Sequence, residues 1–185
     1  MGLEITEAAV GLKDFIPLIN IALGVIIGGA ISYLNTARLE TRKQETESRR
    51  LALAFQGEIQ ALIGIIDRRK YLVTIQWFID QMEKTDKRYN FHLHIRRNYF
   101  LVYQNNVSNI GLLPCSLPGL IAQFYVQASA VLEDIESLRD GTLDEVNLPD
   151  FISNMKTLHS LLKDTVLIGE KIIEKTESLY PSKKR

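Results

Sequence analysis

From Phe15 to Leu34 the chain reads FIPLINIALGVIIGGAISYL, twenty residues without a charge. As a helix this stretch is about 30 Å long, the thickness of a bilayer's hydrocarbon core, so it is expected to be a transmembrane helix. A cleaved signal peptide has a basic start and a shorter apolar run, whereas Glu4, Glu7 and Asp14 precede this one against a single Lys13. A retained anchor is therefore expected. Arg38, Arg42, Lys43, Arg49 and Arg50 follow the span, and a basic excess on that side places it in the cytoplasm. The short segment 1–14 then faces outward.

Within the span, Asn20, Gly24, Gly28 and Ser32 recur every fourth residue and share one helix face. Small residues at this spacing let helices approach closely, and Gly24 with Gly28 is a GxxxG pair. Asn20 adds an amide that in hydrocarbon wants a partner chain or water. These residues predict homo-oligomerisation in the lipid bilayer. Helices about 10 Å across would need a ring of roughly eight to enclose a lumen for hydrated ions, while a dimer encloses none.

The rest of the chain is patterned for helices. Residues 35–50 are almost wholly polar, lack glycine and proline, and read as a stalk continuing the anchor helix. Leu51, Phe55, Ile59, Leu62, Ile66, Val73 and Trp77 then keep helical spacing, with Ile65, Leu72, Ile75, Ile79 and Met82 as a second apolar face. One long helix reaching Met82 is expected. Gly57 and Gly64, seven apart, mark a side where another backbone packs close.

After a charged break at 84–90, a second helix is expected over Phe91–Asn106, followed by a bend at NNVSNIGLLPCSLPG. Ser116 is placed to cap a third helix with Pro118 in its first turn, its inner face being Ile121, Phe124, Ala128, Val131, Ile135 and Leu138. Asn147, at the end of the loop RDGTLDEVNLP, is placed to cap a last helix with Phe151, Met155, Leu158, Leu162, Ile168 and Ile172 inward. Residues 181–185 form a basic tail. No strand pattern or internal repeat appears. The expected fold is all-α, with one transmembrane helix continuing into a cytoplasmic antiparallel bundle of about four helices over 51–180.

Charge and motifs narrow the function. Lysine plus arginine and aspartate plus glutamate are both 22, so no global charge draws the chain to nucleic acid. Cys115 is the only cysteine and has no partner for an intramolecular disulfide. No phosphate-binding glycine loop, CxxC, HExxH or GxSxG occurs. His92, His94, His159 and Cys115 offer zinc-ligand chemistry, but His-x-His spacing suits a strand, so neither a metal nor another cofactor is expected. Asp144 and Glu145 read as loop solvation.

The stretch RRKYLVTIQWFIDQMEKTDKRYNFHLHIRRNYF, from Arg68 to Phe100, holds two of the three histidines. Arg88 and His94, with five residues between them, match the arginine and histidine of the HEPN helical RNases, where the histidine handles protons and the arginine steadies phosphate. Arg88 and His92 also stand one helical turn apart and can pair with acidic neighbours, while Arg96 and Arg97 among aromatics make a modest RNA-facing patch. Solvated arginines beside packed aromatics are the plainer reading.

One amino-terminal span followed by a small helical domain carrying Arg88 and His94 resembles the membrane accessory proteins of type VI-B CRISPR systems, encoded beside an RNA-guided RNase. The resemblance implies a divergent HEPN-like domain and a ring that opens a pore in the bacterial inner membrane, depolarises the cell and enhances antiphage RNA targeting. It also implies functional coupling to that RNase. Tyr89 follows Arg88 where HEPN enzymes commonly have asparagine; Arg97 has Asn98 after it, but Val102 and Tyr103 where the histidine belongs. This favours a structural role for Arg88 and His94 over catalysis. A membrane-tethered HEPN-type RNase acting as a dimer is the alternative, and a passive membrane adaptor the second.

Overall fold

The computed structural model describes residues 12–89, 99–114, 116–143 and 145–181, with backbone alone for 12–27 and Ala30. All regular structure among them is helical. It comprises α1 (Leu12–Arg68), α2 (Tyr71–Thr85), α3 (Leu101–Asn106), a 3-10 helix over Val107–Leu112, α4 (Leu117–Arg139) and α5 (Leu148–Leu179). The chain divides into two compact units, Met1–Thr46 and Glu47–Arg185.

In the first unit, Gly28, Gly29 and residues 31–46 are exposed on every side. Residues 35–46 are almost wholly polar, and such a helix draws stability from neighbours along its own surface. Glu40 with Lys43, and Arg42 with Glu45, stand at the three-residue spacing that brings opposite charges together. Thr36, Thr41 and Thr46 donate their hydroxyls to the carbonyls of Ser32, Ala37 and Arg42 at 2.9, 3.0 and 2.8 Å. Among the described residues no helix is long and apolar enough to cross a membrane. Most of the Phe15–Leu34 span lies outside the residues whose side chains are described.

The second unit is built on α4 and α5, which run antiparallel. Lys175 Nζ donates to Ser116 Oγ at one end, and Thr165 Oγ1 reaches Gln127 Oε1 at 3.5 Å further along. From Glu47 onward α1 runs antiparallel to α5 as well: Ser48 Oγ lies 3.1 Å from the Tyr180 hydroxyl, and Gln56 donates to Glu177 at 3.2 Å. The α1 residues Leu51, Ala52, Phe55 and Ile59 bury one half of the α4–α5 pair together with Ile121, Phe124, Ile168 and Ile172. The α2 residues Ile75, Ile79 and Met82 bury the other half with Val131, Ile135, Phe151, Met155, Leu158 and Leu162. Thus α1 and α2 lie end to end along the same pair, and the inner faces read from the periodicity of α4 and α5 are the observed ones. Ala128 and Leu138 are only half-buried.

The single helix expected to reach Met82 is instead two. It breaks after three consecutive cations, Arg68, Arg69 and Lys70, which suit the negative end of a helix dipole, and Lys70 adopts a left-handed conformation (φ 53°, ψ 38°). That one residue resets the helical phase. Val73 and Trp77, in phase with Phe55 and Ile59 on an unbroken helix, turn outward at 68% and 52% exposure, while Ile75, Ile79 and Met82 turn inward.

A side chain with a Cβ is strained at Lys70. Lys70→Gly is therefore expected to raise stability by up to about 1 kcal/mol, and Lys70→Val to lower it by at least as much. Urea titration of both variants checks this; equal midpoints would show that the turn carries no strain.

Two further expectations are corrected. The second helix, expected over Phe91–Asn106, begins among the described residues only at Leu101, since Tyr99 and Phe100 are not helical and residues 90–98 lie outside the described set, and it tightens into the 3-10 helix within the stretch expected to bend. The close approach assigned to Gly57 and Gly64 is not made there: a Cβ at Gly57 would meet nothing within 4 Å, and one at Gly64 only the Arg68 side chain at 3.8 Å. The crowded glycine is Gly169, where α1, α4 and α5 cross. A Cβ there would lie 2.8 Å from Ile63 Cδ1, 2.9 Å from Phe124 Cε2 and 3.0 Å from Ile59 Cγ2.

The ends of α4 and α5 show how capping was met. Asn147 accepts from the Asp150 amide at 3.0 Å and returns a bond from Nδ2 to Asp150 Oδ2 at 2.8 Å, a reciprocal cap with Pro149 in the first turn. Ser116 stands at the head of α4 but its hydroxyl makes no cap bond, being engaged by Lys175 instead.

Candidate functional site

Arg88 follows α2 and faces the start of α5. Its guanidinium donates to the carbonyls of Leu143 at 2.8 Å and Val146 at 3.3 Å, and Cζ stands 4.0 Å over the ring of Phe151. A planar cation of this kind satisfies two loop carbonyls while stacking on an aromatic face. Arg88 thus fastens the α4–α5 loop to the end of α2. His94, its expected companion, lies outside the described residues, as do His92, Arg96, Arg97 and Cys115.

The residues proposed to line the membrane interface are placed as follows. The side chains of Asn20 and Gly24 lie outside the described set. Gly28 and Ser32 are exposed, and a Cβ at Gly28 would meet nothing within 4 Å. The half-buried His159 joins no group of three or more metal-ligating side chains among the described residues.

The most developed polar constellation centres on Glu58, the one charge between Arg50 and Asp67. Its Oε1 accepts the Val102 amide at 2.7 Å; Oε2 accepts the Tyr103 amide at 3.1 Å and the Tyr125 hydroxyl at 2.5 Å. The two amides belong to the first turn of α3, whose N–H groups have no partner within the helix. No side chain of α3 caps it. Glu58 therefore supplies from α1 the cap that Phe100, at the N-cap position, does not. Tyr103 stacks on Tyr125 with centroids 4.1 Å apart, and Phe100 meets Tyr125 edge-on at 5.3 Å. Burial, then the bond to Glu58, holds the Tyr125 phenol well above its ordinary range. No metal or substrate chemistry follows from this group, since all three acceptor bonds go to the chain itself. Its sequence signal was the lone carboxylate in LALAFQGEIQALIGII.

Clefts among the described residues offer other candidate sites. One, at the α1–α2 turn, is lined almost entirely by carbon. A second gathers Asp134, Ser137, Asn154 and Thr157 between α4 and α5, and there burial, then the charge of Glu133, raises the Asp134 carboxyl above the usual range. A third lies where Glu47 and Arg50 of α1 face Asn106 and Asn109. No protein-family model, curated protein or solved structure matches the chain.

Proposed function

We propose that this protein is a non-enzymatic effector of the bacterial inner membrane, anchored through Phe15–Leu34, which self-associates into a ring and depolarises the membrane, as the resemblance to type VI-B CRISPR accessory proteins implies. The observation that carries the reading is the uncovered helix. Ile31, Tyr33 and Leu34, at the end of a twenty-residue uncharged run, and Leu39 just beyond it are exposed. Apolar helix surface left uncovered by its own chain is covered by lipid or by further copies. The basic excess after the span orients the second unit into the cytoplasm. Arg88 supports a non-catalytic reading, because its guanidinium holds the carbonyls of Leu143 and Val146.

The first measurement is the mass of the detergent-solubilised full-length protein by light scattering, corrected for detergent. A ring of about six chains or more supports the proposal, because fewer helices leave little lumen; a monomer or dimer sinks it. The second is Gly28→Leu. It puts a large side chain on the small-residue face and is expected to abolish depolarisation in cells reporting through a potential-sensitive dye. Undiminished depolarisation would remove the helix face from the mechanism, and a purely passive anchor predicts indifference to this substitution in every assay.

A further inference from the structure

The polar cleft between α4 and α5 is formed by two facing pairs of side chains. Asp134 and Ser137 stand one turn apart on α4, Asn154 and Thr157 one turn apart on α5, and all four line it. The antiparallel register that brings Lys175 to Ser116, continued to this end of the two helices, sets Asp134 opposite Thr157 and Ser137 opposite Asn154. Leu138, Leu143, Met155 and Leu158 supply the carbon surface. Arg88 holds the Leu143 carbonyl from outside at 2.8 Å, which fixes that wall. The cleft has a volume of about 220 Å³. A cavity of about 150 Å³ takes a benzene ring, so a short carbon chain has room here.

Its charge is one-sided. Asp134 is the only ionisable side chain among the described residues that line the cleft, and no aromatic ring is among them. The cations beside it in the chain, Arg139 and Lys156, pair with Asp140 and Glu83. Burial, then the like charge of Glu133, raises the Asp134 carboxyl, the behaviour of a carboxylate with no cation next to it. Thr157 donates its hydroxyl to the Ser153 carbonyl at 3.1 Å, which leaves its oxygen able to accept. A primary ammonium carries three donors and no acceptor, the complement of a carboxylate set among hydroxyl and amide oxygens. A quaternary ammonium is recognised by aromatic faces, which this cleft lacks. We propose that the cleft binds a linear aliphatic amine, its ammonium on Asp134 and the facing oxygens of α5 and its methylenes on the leucine and methionine surface. The site is independent of whether the chain forms a ring.

The test is equilibrium dialysis of the full-length protein in neutral detergent against radiolabelled butylamine, with protein-free micelles as the blank. Saturable binding of one butylamine per chain is expected. Asp134→Asn, at an exposed position, should weaken it at least about tenfold with an unchanged melting temperature. Asn154→Leu, which fills the cleft from an exposed position, should weaken it about tenfold as well. Glu133→Gln removes a charge that does not line the cleft and should cost no more than about twofold. Labelled butanol, the neutral counterpart, should bind at least about tenfold more weakly than the amine. Absence of saturable binding would overturn the proposal. So would equal losses in Asp134→Asn and Glu133→Gln, which would reduce the effect to diffuse attraction by the acidic face of α4, or butanol binding as tightly as butylamine. Should Asn154→Leu fail to fold, the Asp134, Glu133 and butanol arms decide alone.

Discussion

Gly169→Leu is expected to destabilise the second unit by about 3 kcal/mol or more, the upper range for forcing extra carbon into a packed core. The glycine sits where α5 crosses both α1 and α4, and the first added atom already falls within 3.0 Å of Ile63, Phe124 and Ile59. Ile63 Cδ1 is the end of a side chain and can swing aside. The Phe124 ring is buried against Tyr125 at 5.1 Å, and Ile59 is fully buried, so neither has room to yield. Gly169→Ala separates the two forces acting here. Alanine gains about 1 kcal/mol of helix propensity over glycine. The clash costs about 1–3 kcal/mol. The net is a loss smaller than that of leucine. Gly57→Ala is the matched control: nothing lies within 4 Å of its Cβ, so only the propensity gain remains and stability should rise by up to about 1 kcal/mol. Denaturation followed by the fluorescence of Trp77, the only tryptophan, reads all three variants. Equal midpoints for Gly169→Leu and wild type would mean that the three helices separate at no cost, and the packing described above would be wrong.

The contrast between those glycines shows where sequence reasoning stops. Periodicity located the inner faces of α4 and α5 because each is an unbroken helix whose apolar residues recur at fixed spacing, and Phe151, Met155, Leu158, Leu162, Ile168 and Ile172 are all buried. The same reasoning failed across Lys70, since one left-handed residue rotates everything after it and no glycine marks the place. Gly57 and Gly64 stood out by their spacing, but close approach is a property of three helices crossing, which spacing on one helix does not encode. Asn147 was legible because a cap is local. Glu58 was not, because it caps a helix more than forty residues away in the chain; only its isolation among apolar residues hinted at a role. Arg88 was singled out for chemistry by its distance from a histidine. Among the described residues it bonds the carbonyls of Leu143 and Val146, partners set by the packing of α2 against α5, which its distance from a histidine does not encode.

Glu58→Ala is expected to cost about 3–5 kcal/mol, because one truncation leaves three donors without an acceptor and each buried unpaired group costs about 1–3 kcal/mol, the more exposed ones least. The Tyr125 hydroxyl is buried and the amides of Val102 and Tyr103 are half-covered at the head of α3. Glu58→Gln keeps an acceptor oxygen but loses the charge, so it should cost less, about 1–2 kcal/mol. Tyr125→Phe removes one donor and leaves the carboxylate on the two amides, so its cost is smaller than that of Glu58→Ala. In the double variant the penalties should not add, since the phenylalanine has no hydroxyl to strand; a coupling of about 1 kcal/mol or more between the two sites is expected. Alkaline titration adds an independent reading. The folded protein holds the Tyr125 phenol above its ordinary range, so the unfolded chain gives up that proton first. The contribution of Tyr125 is therefore complete below the unfolded value of about 10 and falls away as the pH rises beyond it. Tyr125→Phe should flatten that loss above pH about 10 relative to wild type. Strictly additive penalties together with an unchanged alkaline limb would mean that Glu58 and Tyr125 do not share a bond, and α3 would then be held to α1 by its aromatic contacts alone.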